Sequence, residues 1–470
     1  MDRASQGVAT RRVRDLPAPP GLPLLGNLLQ IDRARLHLTA ENWRRKYGDF
    51  YRFRNGPREI VVIADPETIA TVLRDRPDGF RRTRRLESIA KEMRFQGVFT
   101  AEGDAWRRQR PMVLAGLDPA HVKRYFPTLA RVTERFADRW QRAAEAGSVI
   151  DLQADLMRYT VDVTAGLAFG ADVNTIDSGE DRIQRHLDKI FPALFQRLMA
   201  PFAYWRLFKL PGDRALEVHL TELDRAVKNF IAMARKRMDE EPARRQNPGN
   251  LIEAMIAARD TPGSGVDDAD VAGNVLTMLL AGEDTTANTL AWMIWLLSRN
   301  PAALQRAREE VLAVRPERYE QLAELRYIEA CANETMRLKP VAPIIIVEPV
   351  RDTVVAGIEV PAGQLLLLLM RAGATDERYF PDAQAFDPAR WLEPAAKSAS
   401  SAKRVAMPFG AGPRLCPGRY LAVLEMKMVM AMLLAGFDLE SVGTADGGEP
   451  RELMAFTMQP VGLRMKLRSR

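Results

Sequence analysis

The sequence predicts a mainly α-helical domain that carries small β-sheets. Apolar residues recur at mostly helical spacing from Asp65 to about residue 340. Short β-rich runs lie within 50–64 and return at 344–370. No internal repeat is visible, and no linker is long enough to separate two domains. We therefore expect one large domain over residues 17–470, preceded by a flexible tail at 1–16.

The first thirty residues lack the features of a targeting segment. They contain neither the apolar core of a secretory signal nor a span of about 20 apolar residues that would anchor the chain in a membrane. Pro17, Pro19 and Pro20 predict a rigid start to the domain. Because the chain has only two cysteines, we expect no disulfide framework, and we expect a reducing, cytoplasmic location.

Turn and capping signals mark the ends of several predicted elements. Gly56 and Pro57 predict the turn between strands at 50–54 and 59–64. Asp65 then offers a helix N-cap, with a proline at the first helical position. Further along the chain we expect a long helix from about Asp268 to Asn300, a polar loop at 393–403, a glycine-rich bend at 408–418, a helix to about 436, and hairpins after 440.

Composition excludes several classes of protein. An apolar fraction of 47%, a charged fraction of 27% and a mean hydropathy of −0.22 argue against both a disordered chain and a protein with many membrane spans. The net charge of +7 is modest for 470 residues, and no basic stretch alternates with aromatic residues. No nucleic-acid partner is therefore expected. The four histidines lack the spacing of a zinc site, so we expect no histidine-built zinc centre.

Cys416 lies in the segment Phe409-Gly-Ala-Gly-Pro-Arg-Leu-Cys-Pro-Gly418, whose glycines and prolines predict a tight bend. A helix follows from Arg419, so the thiol is expected near a helix N-terminus, where the macrodipole and unpaired N–H groups favour a thiolate. A thiolate fixed by a bend suits an axial haem ligand, because its anionic sulfur donates electron density to iron. Without such flanks, a lone cysteine is more often a buried structural residue.

Five residues of this segment resemble the haem-binding signature F-x-x-G-x-R-x-C-x-G of the cytochrome P-450 superfamily. They are Phe409, Gly412, Arg414, Cys416 and Gly418. The resemblance implies a haem b cofactor (iron protoporphyrin) whose axial thiolate ligand is Cys416. It also implies that Phe409 packs beside the sulfur, that Arg414 pairs with a haem propionate, and that Gly418 lets the helix approach the ring.

The segment Ala281-Gly-Glu-Asp-Thr-Thr286 interrupts the apolar pattern of the long central helix. Glycine and four polar residues weaken a buried helix locally and, taken alone, fit a solvent-exposed kink. The segment also matches the family motif A-G-x-D-T-T, which implies that Ala281 lies above the haem and that Gly282 permits close approach to the haem face. The resemblance further implies that Thr285 hydrogen-bonds the bound oxygen and that Asp284 relays protons to it.

Two charged motifs follow the same resemblance. Glu334-Thr-Met-Arg337 resembles E-x-x-R, whose charges share one helical face at this spacing and can pair. The family supplies a third member from a downstream stretch, where Arg390 matches while alanine replaces the usual acid. Trp106-Arg-Arg-Gln-Arg110 matches W-x-x-x-R, and its spacing lets Trp106 and Arg110 reach the haem propionates.

The resemblance covers roughly residues 20–470 and implies the cytochrome P-450 fold, with haem between the long central helix and the cysteine-ligand loop. One departure concerns the propionates. Relatives often bring a basic residue to them just after Glu348, whereas this chain reads Ile346-Val-Glu-Pro349. We therefore expect that contact to be missing.

The function that the resemblance implies is haem-dependent monooxygenation. One oxygen atom of O2 is inserted into a hydrophobic organic substrate. Because the family resemblance uses nearly all 470 residues, electrons are expected from a separate ferredoxin or flavodoxin with its reductase.

Three competing functions are consistent with parts of the pattern. A peroxide-using or isomerising haem-thiolate enzyme is the first, although that class often lacks the pair Asp284-Thr285. A non-catalytic haem-thiolate binding or sensor protein is the second, and it would need no proton relay. A helical scaffold without cofactor is the third.

Family position also identifies candidate pocket and docking residues. Ala281, Thr285, 341–344 and 455–458 are apolar or nearly so and imply a hydrophobic substrate. The aromatic segment 191–212 fits either a lid or an ordinary helix contact. A basic surface for an acidic electron donor is expected from five residues, Arg107, Arg108, Lys403, Arg404 and Arg419.

Overall fold

A computed structural model describes residues 10–170, 172–178, 184–187, 189–392 and 397–470. The helices are α1 (Leu36–Tyr47), α2 (Pro66–Arg74), α3 (Arg84–Glu92), α4 (Gly103–Gly116), α5 (Pro119–Glu145), α6 (Leu152–Phe169), α7 (Gln184–Leu187), α8 (Ile190–Met199), α9 (Pro211–Glu240), α10 (Leu251–Asp260), α11 (Asp268–Arg299), α12 (Pro301–Val314), α13 (Arg326–Leu338), α14 (Met370–Ala374), α15 (Lys397–Ala406) and α16 (Arg419–Gly436). The strands are β1 (Arg11–Arg12), β2 (Phe50–Asn55), β3 (Arg58–Ile63), β4 (Phe80–Arg82), β5 (Ile150–Asp151), β6 (Ile344–Pro349), β7 (Thr353–Val355), β8 (Ile358–Val360), β9 (Leu365–Leu369), β10 (Phe437–Gly443), β11 (Arg451–Met454), β12 (Met458–Val461) and β13 (Arg464–Ser469).

The central helix α11 has the predicted bounds to within one residue. Its N-cap is Asp267, whose side chain accepts a hydrogen bond from the amide of Asp270 at 2.7 Å. The helix is assigned without a break, so the polar segment 281–286 is not an exposed interruption. Hydroxyls of Thr285 and Thr289 donate to the carbonyl oxygens one turn earlier, at 2.7 and 2.8 Å. Most of α11 is buried, and it packs along α6.

A five-stranded sheet with the order β2-β3-β9-β6-β4 lies near the start of the domain. The predicted turn at Gly56-Pro57 joins β2 and β3, which pair antiparallel. β3 pairs in parallel with β9, and β4 pairs antiparallel with β6 so that Arg82 lies opposite Val347. Smaller sheets have the orders β1-β8-β7, β10-β13-β5 and β11-β12.

Two predicted irregular segments need correction. Residues 1–9 of the predicted tail lie outside the described residues, but β1 pairs with β8, and Val13 and Leu16 are buried. Residues 10–16 are therefore packed rather than flexible, because Val13 and Leu16 lie in an apolar core. Of the predicted loop 393–403, residues 393–396 lie outside the described residues and the rest begins α15. The helix is favoured because Ala402 is buried in a small apolar cluster.

Two hydrophobic cores frame the functional region. The larger one joins α5, α6, α11 and α16, and a second one packs α2 against the five-stranded sheet. The glycine-rich bend that precedes α16 contacts α2. The result is mainly α-helical with small sheets, as predicted. Within the described ranges, no helix is both long enough and apolar enough to cross a lipid bilayer.

Candidate active site

The glycine-rich bend at 408–418, which we call the cysteine bend, is held by its own backbone and by α2. The amide of Cys416 donates a hydrogen bond to the carbonyl oxygen of Phe409 at 3.0 Å. Gly412 has a φ of +70°, and a Cβ there would lie 2.6 Å from the Cα of Arg74 at the end of α2. Glycine is therefore required where the bend passes α2.

The two thiols of the chain differ in accessibility. Cys331 is fully buried in α13, and burial raises its pKa far above the usual range. Burial also raises the pKa of the half-buried Cys416, although the backbone N–H of Gly418 and the charges of Arg110 and Arg419 act in the opposite direction. The expected stabilisation of a thiolate by a backbone N–H is therefore present, but burial outweighs it in the protein without a metal. A metal ion that binds sulfur displaces the thiol proton, so a metal partner would overcome this cost.

Helix α4 places the W-x-x-x-R residues against the cysteine bend. The guanidinium of Arg110 donates a hydrogen bond to the carbonyl oxygen of Leu415. The guanidinium of Arg414 lies 4.9 Å from the centre of the Trp106 ring, and it forms an ion pair of 2.6 Å with Glu102. Two motifs that are about 300 positions apart in the chain thus meet in space.

A buried group of arginines surrounds this contact, and two of its members were not predicted. Arg76, Arg82 and Arg414, which we call the arginine cluster, each have a buried Nε atom without a hydrogen-bond partner. Burial lowers the pKa of all three, and repulsion by neighbouring arginines lowers it further for Arg82 and Arg414, while the charge of Glu102 acts in the opposite direction. The cluster therefore carries more buried positive charge than one carboxylate neutralises.

Arg82 lies where the sequence predicts that a basic residue near the propionates is missing. The segment Ile346–Pro349 has no basic residue, and the sequence therefore predicts a missing contact. In the structure, Arg82 on β4 lies opposite Val347, so the neighbouring strand supplies a cation at this place. The guanidinium of Arg82 lies 3.7 Å from the centre of the Phe99 ring. Only the pairing of β4 with β6 brings Arg82 here, and no spacing in the sequence signals that pairing.

The residues present fit a haem group. Haem carries two propionate carboxylates, and a dianion would neutralise the excess charge of the arginine cluster. At Gly418, no heavy atom lies within 4 Å of the place that a Cβ would occupy, so the start of α16 leaves space beside the sulfur. Cys416, which offers a soft sulfur ligand for iron, lies in the same bend.

The predicted catalytic residues lie next to each other on α11 but in different surroundings. Thr285 and Ala281 line a large apolar cavity, whereas the carboxyl of Asp284 is buried outside that wall. Asp284 accepts a hydrogen bond from the side-chain amide of Asn288 at 2.8 Å and another from the hydroxyl of Thr457. Burial raises the pKa of Asp284, and these two hydrogen bonds partly oppose the rise.

The role expected for Gly282 needs correction. A Cβ on Gly282 would lie 2.5 Å from the hydroxyl oxygen of Thr164 on α6. The missing side chain therefore points to α6, and glycine is needed for close packing of α11 on α6. The structure does not support the expectation that Gly282 permits approach to a haem face.

The apolar cavity has a volume of about 350 Å³ and lies between α11 and the five-stranded sheet. The predicted pocket segments 341–344 and 455–458 both contribute to its wall, which confirms that prediction. Phe456 stacks on Phe191 with ring centres 4.9 Å apart and meets Phe99 edge-on at 5.9 Å. An aromatic cluster therefore closes one side of the cavity.

The segment 191–212 divides into two parts. Its α8 part lines the cavity through Phe191, Phe195, Leu198 and Met199. Beyond α8, the side chains of Phe202, Leu207, Phe208 and Leu210 are exposed. The first part is therefore both a wall of the cavity and a helix contact, because its buried face packs against α3 and α9.

The E-x-x-R residues form a buried network away from the cavity. Arg337 and Glu334 are both fully buried and pair at 2.8 Å, and Arg337 also donates to three backbone carbonyl oxygens. Glu334 accepts further hydrogen bonds from Arg390 at 3.0 Å and from the indole of Trp391 at 2.8 Å. The predicted three-residue network is present, and Ala389 in place of an acid leaves it intact.

Comparisons with known proteins agree with this geometry. The profile of the Cytochrome P450 family matches residues 16–467. Cyclooctatin synthase from Streptomyces melanosporofaciens is 29% identical over 464 residues, which cover 98% of this chain and 97% of the relative. Cyclooctat-9-en-7-ol 5-monooxygenase from the same organism is 28% identical over 432 residues, covering 90% and 89%. Carotene epsilon-monooxygenase from Arabidopsis thaliana is 28% identical over 451 residues, covering 90% and 81%. The chain therefore belongs to the cytochrome P450 family and is a P450 monooxygenase, an oxidoreductase.

Proposed function

We propose that this enzyme hydroxylates an apolar organic substrate with one atom of O2, using haem b bound through Cys416. The observation that carries the proposal is the position of the arginine cluster against the cysteine bend. Buried cations in excess of carboxylates need an anionic partner, and a thiol in the same place offers a ligand for iron. A haem group satisfies both requirements at once.

When bound, haem supplies the iron centre at which O2 is activated. The residues of this chain hold it in place. The sulfur of Cys416 would bind the iron, and the backbone N–H of Gly418 would hydrogen-bond that sulfur. Arg82, Arg110 and Arg414 would pair with the propionates, and the Trp106 ring packs against the guanidinium of Arg414. Phe409 and Ala281 complete the proposed contacts.

Thr285 and Asp284 handle the protons in this proposal. The Oγ1 atom of Thr285 can accept a proton while donating its own, because a hydroxyl is both donor and acceptor. The raised pKa of the buried Asp284 carboxyl keeps it protonated to higher pH than an exposed aspartate, so it can pass a proton on. Its partners Thr457 and Asn288 fix the orientation of the carboxyl.

The cavity supports an apolar substrate. Its wall is dominated by aliphatic and aromatic side chains, and such a wall excludes water from the reacting atoms. Two relatives carry names that point to cyclooctat-9-en-7-ol and to carotene, which are largely hydrocarbon. We therefore propose a substrate that is mostly hydrocarbon for this chain as well.

Electrons come from a separate ferredoxin or flavodoxin with its reductase in this proposal. Among the five residues expected to dock it, Arg107, Arg108, Lys403 and Arg404 are exposed and Arg419 is half-buried. Arg107 is already paired with Asp78 and Asp104. The exposed cations would attract an acidic donor, and salt would screen that attraction.

A charge reversal tests the docking surface. Arg404→Glu should raise the apparent KM for the donor without changing substrate affinity, while Lys228→Glu on the distant surface helix α9 serves as the control. Equal donor kinetics in both variants would contradict the docking surface.

The cytoplasmic location of the protein stays a prediction.

The function itself is tested with the haem-loaded protein, a donor system, O2 and a panel of apolar compounds. The proposal predicts that oxygenated product, consumed O2 and consumed electron pairs appear in equal amounts. Product formed from peroxide without reductant would favour a peroxide-using enzyme. Compounds that shift the haem spectrum without any product would favour the non-catalytic sensor.

A further inference from the structure

Three arginines lie together at one boundary of the apolar cavity. Arg33 precedes α1, Arg58 begins β3, and Arg85 lies in the first turn of α3, and all three line the cavity. Arg33 is exposed, which marks this boundary as the part of the cavity that meets solvent. Thr285 on α11 lines the same cavity, so the space is continuous from the arginines to the proposed reaction site.

Arg58 and Arg85 have carbonyl partners but form no ion pair with a carboxylate. The Arg58 side chain donates to the carbonyl oxygens of Leu198 and Ala200 at 3.2 and 2.8 Å. The Arg85 side chain donates to the carbonyl oxygens of Arg197 and Ala200 at 2.7 and 2.8 Å. In the part of the chain that the structure describes, no carboxylate forms an ion pair with Arg33, Arg58 or Arg85.

Two buried N–H groups at this boundary have no hydrogen-bond acceptor. The Nε atoms of Arg58 and Arg85 have no hydrogen-bond partner. Among the described lining residues, Glu348 is the acid, and its carboxylate already lies 3.9 and 3.7 Å from Arg81 and Arg84. Glu92 also acts on Arg85, but it already pairs with Arg206 at 2.5 Å, so the net charge of this boundary is positive.

The electrostatics of Arg58 agree with this geometry. Burial lowers the pKa of Arg58 to about 10, and repulsion by Arg85 and Arg33 contributes to the fall. An anion bound among the three guanidinium groups would offset that repulsion and raise the pKa of Arg58.

Helix capping explains only part of the arrangement. Arg58 and Arg85 bind carbonyl oxygens at the C-terminal end of α8, where a cation is favourable. Capping accounts for the hydrogen bonds to these carbonyl oxygens, but it leaves the Nε atoms of Arg58 and Arg85 without a partner. It also gives no role to Arg33.

We infer that Arg33, Arg58 and Arg85 bind the carboxylate of an otherwise apolar substrate. The substrate class is therefore an apolar carboxylic acid whose hydrocarbon part extends along the cavity towards Thr285. This inference rests on the proposed function, because it assigns the substrate of the same site. Guanidinium groups suit the role, since they bind carboxylates through paired hydrogen bonds.

The test compares an acid with its uncharged ester in the haem-loaded protein. Decanoic acid and methyl decanoate are titrated by calorimetry and by the change in haem absorption. Decanoic acid should bind at least about tenfold more tightly than the ester. Arg58→Gln should remove about tenfold of the acid's affinity and leave the ester unchanged, while Arg58→Lys should retain part of it. Arg54→Gln, an exposed arginine on the adjacent strand that does not line the cavity, should bind both compounds like the original protein.

Arg33→Gln provides a second variant, since its exposed side chain can be changed without disturbing the fold. It should weaken the acid about threefold and spare the ester. Equal affinity for acid and ester, or equal loss of both in Arg58→Gln, would overturn the inference. Failure to bind haem would instead overturn the proposed function, and calorimetry would still decide between acid and ester.

Discussion

The hydroxyl of Thr457 donates a hydrogen bond to the buried carboxyl of Asp284, which lies 173 positions earlier in the chain. No charged group contributes to the pKa shift of Asp284, whose causes are burial and the hydrogen bonds from Thr457 and Asn288. Burial raises the pKa, and hydrogen bonds to the charged form lower it. The hydrogen bonds from Thr457 and Asn288 therefore limit how far the pKa of Asp284 rises.

Thr457→Val should shift the pH dependence of turnover upward. A relay acid passes a proton only while it is protonated, so turnover falls as pH rises through the pKa of Asp284. Without the hydroxyl of Thr457, the carboxylate loses a donor, the pKa of Asp284 rises further, and the falling limb moves to higher pH. The measurement is kcat against pH. Asp284→Asn should slow turnover throughout, and a pH limb that stays in place in Thr457→Val would contradict the relay.

Thr285→Ala should divert electrons from product to peroxide while leaving haem content and substrate affinity nearly unchanged. The hydroxyl lost is the one on the cavity wall. Thr289→Ala is the matched control, because Thr289 also donates to the carbonyl oxygen one turn earlier but does not line the cavity. The measurement is the ratio of product formed to electrons consumed in each variant. An unchanged ratio in Thr285→Ala would remove Thr285 from the mechanism.

Arg82→Gln should have opposite effects on the protein with and without haem. Removing a cation that is repelled by both Arg76 and Arg414 should stabilise the apoprotein. The same change should speed haem loss, because a propionate loses its partner. Denaturant unfolding of the apoprotein and transfer of haem to excess apomyoglobin measure the two effects. Arg84→Gln, on an exposed side chain nearby, is the control. Haem loss at the original rate would exclude Arg82 from the site.

Arg337→Ala should destabilise the protein by about 3 to 5 kcal/mol, because Glu334 would remain as a buried unpaired charge. The free energy of unfolding in denaturant measures this loss. Arg378→Ala breaks two ion pairs, with Asp49 and Asp376, on an exposed side chain and should cost much less, about 0 to 1 kcal/mol per pair. Similar losses in the two variants would show that burial of the Arg337 pair is energetically unimportant.

Motifs within one stretch of chain could be predicted from the sequence. The bend around Cys416, the helix that carries Asp284 and the pairing of Glu334 with Arg337 each depend on near neighbours in the chain. Such features follow from turn residues, capping and helical spacing. The structure contains the bend, the helix and the ion pair at the positions that the sequence predicts.

The residues that sequence reasoning missed come from distant segments. Arg82 reaches the site through strand pairing with β6, and Thr457 reaches Asp284 across the fold. Register between distant strands is decided by packing, which single-sequence patterns do not encode. Tertiary packing likewise overrode local expectation at Gly282, which faces Thr164, and at Ala402, which is buried in a helix instead of lying in a loop.

The central claim is that Cys416 is the thiolate ligand of haem, and the spectrum of the reduced carbon monoxide complex tests it most directly. Cys416→Ser should lose the thiolate-type shifted Soret band, because a serine hydroxyl is a poor ligand of high pKa. Cys331→Ser, which removes the fully buried thiol of α13, should keep the band. If Cys416→Ser keeps the shifted band, another group binds the iron and the proposed site is contradicted.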